Sequence, residues 1–157
     1  MKAATLQELK HELSSLPQKD LVELCTRLVR YKKDNKELLT YLLFEADDEN
    51  TYIHAVKNFV EEQFSQLQNH NLHSTTKVLR KILRVAGKHI RFTGSKKVES
   101  EILLHYCRCM RESGLPVHRS TALTNLYQRQ IEKVSKASAT LHEDFQFDIQ
   151  QQLETLR

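Results

Sequence analysis

The chain has no tryptophan and only three Gly and two Pro in 157 residues. With so few chain breakers, and abundant Leu, Glu, Lys and Gln, the composition points to an all-α class. The glycines stand at positions 87, 94 and 114 alone, which leaves no Gly-rich phosphate loop and no G-x-S-x-G nucleophile turn. Three cysteines (Cys25, Cys107 and Cys109) are odd in number and lack the spacing of a disulfide framework, so they read as reduced thiols in a cytoplasmic setting. No apolar run is long enough to span a bilayer: the longest, Leu38 to Phe44, is interrupted by Thr40. The start, Met1 to Ser15, alternates Leu with Lys, Glu and His and has no secretory apolar core. Nor does any segment alternate with period two over strand length, so no sheet is expected.

A further shortage is local. Between His73 and Lys97 there are eight Lys/Arg and no carboxylate, so this stretch supplies the whole of the +4 formal charge. Within it, Lys77, Arg80, Lys81, Arg84, Lys88 and Arg91 fall on one side of a helix at about 100° per residue. Val78, Leu79, Ile82, Leu83, Val85, Ala86 and Ile90 fill the other side. Such a helix anchors one face in a core and offers the other to water or to an anion. Lys96 and Lys97 lie just beyond its end and extend the expected anion-binding patch.

With the basic helix included, the chain supports about eight helices by apolar periodicity and capping. Thr5 and Glu8 form a capping-box pattern ahead of Leu6, Leu9, Leu13 and Leu16. Pro17 can open a second helix, with Leu21, Leu24, Cys25, Leu28 and Tyr31 as its buried stripe. A short third helix follows around Leu38 to Leu43. After the acidic connector Glu45 to Asn50, a fourth carries Ile53, Val56, Val60, Phe64 and Leu67. Ser74 is the expected cap of the basic helix, and Gly94 and Ser95 its stop and the cap of the next. Val98 to Met110, Leu123 to Val134 and Phe145 to Leu156 complete the set. We expect a single helical domain over residues 1–157, either an irregular multi-helix bundle or a short stacked-hairpin α-solenoid.

The segment LQELKHELSSLPQKDLVELCTRLVRYKKDNKELLTYLLF, Leu6 to Phe44, resembles the opening of an uncharacterised bacterial family of small all-helical proteins. The likeness lies in a short Leu-rich helix, an LP or LS break, a second Leu-rich helix and a Lys-rich turn. It implies a helical fold and brings no activity with it.

Chemistry-bearing patterns fail on spacing. His105, Cys107 and Cys109 cannot meet one ion on a helix, because Cys107 points about 160° away from Cys109. His105 and Cys109 supply at most two ligands, and both cysteines read as small buried hydrophobes. His70 and His73 form an H-x-x-H pair in a polar connector, read as solvated. Glu8 and His11 give one E-x-x-H where a di-iron bundle needs two. The acidic run Glu45 to Glu49 is no calcium loop and can instead face the basic helix of the same molecule. The expectation is therefore a non-enzymatic interaction or scaffold protein with a protein partner, without metal or cofactor. The alternative is a sequence-nonspecific nucleic-acid binder using the basic face at 77–91.

Overall fold

A computed structural model describes residues 2–67 and 71–156. Among them it is an all-α multi-helix bundle of eight α-helices without a strand. The chain, expected from its length as one domain, divides into two compact units, Met1–Phe44 and Glu45–Arg157, each described by itself.

The first unit holds α1 (Leu6–Ser15), α2 (Gln18–Tyr31) and α3 (Lys33–Phe44). The capping box forms as its residues require: Thr5 accepts from the Glu8 amide while the Glu8 carboxylate accepts from the Thr5 amide at 2.7 Å. That pairing also holds the Glu8 carboxyl below its usual range, chiefly through the Thr5 backbone hydrogen bond. The joint between α2 and α3 is tied by Asn35, whose Nδ2 donates to the Leu28 carbonyl at 2.8 Å. One expectation is overturned here. The α2 stripe read as buried is open: Leu28 is 57% and Tyr31 85% exposed, and Cys25 is exposed as well. Among the described residues of this unit Tyr41 alone is buried. Amphipathic spacing marks which side is apolar, and it cannot say whether anything covers that side.

The second unit holds α4 (Glu49–Ser65), α5 (Leu72–Thr93), α6 (Lys96–Glu112), a 3₁₀ turn (Val117–Arg119), α7 (Thr121–Ser138) and α8 (Glu143–Leu156). Helix α6 is its centre, touching α4, α5, α7 and α8. That is a bundle arrangement, since in a solenoid each repeat meets only its neighbours. The sequence explains it: Val98, Ile102, Leu103, Leu104, Tyr106, Cys107 and Met110 leave α6 apolar around most of its circumference, and all are buried. Its buried Ser100 hydroxyl donates to the Lys96 carbonyl at 2.8 Å. The Tyr106 phenol donates to the Leu79 carbonyl of α5, and its ring meets Phe64 of α4 edge-on at 5.3 Å. Truncating such a side chain to Ala typically costs 2–5 kcal/mol.

Helix ends follow the sequence in part, since α3 already begins at Lys33, ahead of the Leu38 expected, and the cap of α5 shifts as well. Gly94 takes the left-handed conformation at φ 62° and stops α5, while Ser95 caps α6 and Ser120 caps α7. The cap of α5, however, is Asn71, whose side chain accepts from the Ser74 amide at 2.8 Å. The basic helix is therefore capped three residues before Ser74, which lies inside its first turn.

Candidate anion-binding surface

Helix α5 turns Leu79, Ile82 and Ala86 into the core of the second unit. This fixes its rotation, so the opposite face points outward. Lys77, Arg80, Lys81, Arg84 and Arg91 are exposed, and Lys88 is half-buried. The six cations share an arc of about 100° and run along about 21 Å of helix axis. Among the described residues no carboxylate stands within 4.0 Å of Lys77, Arg80, Lys81, Arg84 or Arg91, whereas Lys88 makes further contacts. At the edge of the stripe Gly87 leaves room for the guanidinium of Arg91 to lie back along the helix.

Lys96 and Lys97, the two outliers of the sequence-based patch, are held differently. Lys96 Nζ reaches Glu99 at 2.7 Å, one turn along α6. Lys97 Nζ lies 3.5 Å from Glu49 and 2.9 Å from the Asn50 side-chain oxygen, and 5.5 Å from the centre of the Phe145 ring. It thus joins the start of α4, the start of α6 and α8. The acidic connector, expected to face the basic helix, thus reaches a cation of α6 through Glu49. Asp48, its neighbour, is engaged as the cap of α4, and the Thr51 hydroxyl and amide hold its carboxyl below the usual range.

A second cluster was only partly visible in the sequence. His105 Nε2 stands 3.0 Å from Glu61 Oε1 and 3.5 Å from Cys109 Sγ. Glu61 belongs to α4 and becomes a neighbour only because α4 packs on α6. Burial lowers the His105 pKa, against the pull of the Glu61 carboxylate. Burial likewise pushes the Cys109 thiol up to about 11 and that of Cys107 to about 12. Both acid and thiol address the same ring nitrogen, so the imidazole cannot be oriented by one partner while it deprotonates the other. Among the described residues no three His, Cys, Asp or Glu side chains are placed to hold a metal ion. His70 lies outside the described residues, and His73 is exposed on α5.

The first unit carries a feature that sequence reading assigned to a core. Between α2 and α3 opens an apolar pocket of about 240 Å³, lined by Cys25, Leu28, Val29, Asn35, Leu38, Leu39 and Leu42. Apart from Asn35 and the Cys25 thiol its walls are aliphatic. No helix among the described residues is long and apolar enough to cross a membrane. Compared with family models, curated proteins and solved structures, the chain matches none.

Proposed function

We propose that the protein is a non-enzymatic helical interaction module, and that residues 1–44 receive a protein partner on the apolar seam of α2 and α3. One observation carries this reading: Leu24, Leu28, Leu38 and Leu42 are 40%, 57%, 36% and 54% exposed on adjoining helices. Full burial of one such side chain contributes about 1.5–3 kcal/mol, so a partner covering several gains enough to bind. An apolar seam between two helices accepts the apolar face of a third, the groove mode of peptide recognition. The second cluster supports the same reading, because a neutral, protonated Cys109 beside a shared imidazole nitrogen is no nucleophile at neutral pH.

The seam carries its own reporter. A photo-crosslinker attached to Cys25 in the full chain is expected to give protein adducts in cells that persist through high-salt washing. The variant Leu28→Lys/Leu42→Lys, checked for unchanged helicity, is expected to lose them. Equal adduct yield from both chains, or no protein adduct from either, overturns the reading.

A further inference from the structure

We propose that the outward face of α5 binds the phosphate backbone of double-stranded nucleic acid without reading its sequence. This rests on the second unit alone and is independent of the apolar seam. The ligand class follows from charge, length and what the face does not contain.

Lys77, Arg80, Lys81, Arg84 and Arg91 are exposed and have no carboxylate within 4.0 Å among the described residues. Cations left in this state contrast with Lys96 and Lys97 a few residues on, each of which has an acid within 3.5 Å. A linear row about 21 Å long needs a linear anion, and a duplex carries one charge per about 1.7 Å of axis. About twelve phosphates lie along that length, so four or five can be met without bending the duplex.

Three observations narrow the partner. An anionic bilayer is disfavoured, because a helix held at a lipid surface inserts its apolar face, and Leu79, Ile82 and Ala86 are already buried in the bundle. A single strand is disfavoured too, because such partners are held by stacking on exposed rings between cations. Phe92, the one aromatic at the edge of the stripe, is half-buried and meets His89 edge-on at 5.8 Å. Finally, α5 contains no Asn or Gln to pair with adenine edges, and its arginines, which could pair with guanine, stand among lysines in one continuous row of charge that suits the phosphate backbone.

The test is a fluorescence-anisotropy titration of the full chain with a labelled duplex DNA of arbitrary sequence across a salt series. With four or five phosphate contacts the affinity is expected to fall roughly 200-fold between about 50 and about 200 mM salt. Arg80→Glu/Arg84→Glu is expected to weaken duplex binding by about tenfold or more and to reduce the salt slope by about two, with helicity and melting temperature unchanged because both side chains are exposed. Lys96→Gln, in which the lost charge was already matched by Glu99, is expected to leave affinity within about twofold. The Leu28→Lys/Leu42→Lys chain is expected to bind duplex undiminished, which separates this proposal from the seam. No duplex binding at low salt, binding indifferent to salt or to the Arg80/Arg84 reversal, or tighter binding to an equal-length single strand or to anionic vesicles overturns it.

Discussion

The phenol of Tyr127 donates a 2.7 Å hydrogen bond to the carbonyl of Leu156, and Arg111 Nη1 reaches the same oxygen at 2.6 Å. The last carbonyls of a helix have no partner within it, so α7 and α6 together supply what the end of α8 lacks. Both Tyr127 and Leu156 are buried. Tyr127→Phe is expected to lose about 1 kcal/mol of stability, because Arg111 still satisfies the acceptor. Tyr127→Phe combined with Arg111→Met leaves that carbonyl without either donor, and urea denaturation should show a loss larger than the two single losses together.

His105 makes stability depend on pH. Burial favours its neutral form in the folded chain, the Glu61 carboxylate opposes this, and Lys57 and Arg108 reinforce it, with a net pKa below 6.5. The unfolded chain therefore binds the proton first as pH falls. The contribution of His105 is complete above about pH 6.5 and is lost as pH drops toward the folded value. Denaturation midpoints at about pH 7.5 and about pH 5.5 should differ less in His105→Gln than in the natural chain.

Two glycines should respond to alanine in opposite directions. A methyl group at Gly87 would meet only Arg91 Nη1, at an ordinary 3.7 Å, and Gly87 lies inside α5. Gly87→Ala is expected to raise stability by about 0.5–1 kcal/mol through the backbone freedom it removes from the unfolded chain. Gly94 has φ +62° with open space around it, so Gly94→Ala meets backbone strain alone and is expected to cost about 1–2 kcal/mol. Melting temperatures of the two variants decide the signs.

The three thiols should separate cleanly in alkylation of the folded protein. Cys25 is exposed, Cys109 is half-buried with its thiol raised to about 11, and Cys107 is buried with its thiol raised to about 12. Since the thiolate is the reacting species, one fast equivalent assigned to Cys25 by mass spectrometry is expected, with Cys109 and then Cys107 far slower. Modification of Cys109 at the rate of Cys25 would contradict the packing of α4 on α6.

Period and capping carried most of the second unit. The spacing of Val98, Ile102, Tyr106 and Met110 located α6, and Gly94, Ser95 and Ser120 set ends that the structure keeps. The outward rotation of α5 was legible for the same reason, since seven apolar side chains on one side leave a helix one way to sit. What escaped was long-range. Nothing near Lys97 announces that Glu49 and Phe145, about fifty residues away on either side, will meet its ammonium. Glu61 likewise reaches His105 through a helix crossing that local pattern does not encode. The leucines of α2 misled because amphipathicity is the same whether the apolar side faces a core or a partner.

That ambiguity separates two kinds of constraint. With Tyr41 as the one buried side chain described before Glu45, replacements of other leucines in α1, α2 and α3 change little enclosed volume, whereas from Val98 to Met110 nearly any change opens or overfills a void. A saturation library scored on folding alone should be permissive across the first three helices and intolerant across the sixth. Intolerance that emerges at Leu28 or Leu42 only under a growth selection would then trace the outline of whatever docks there.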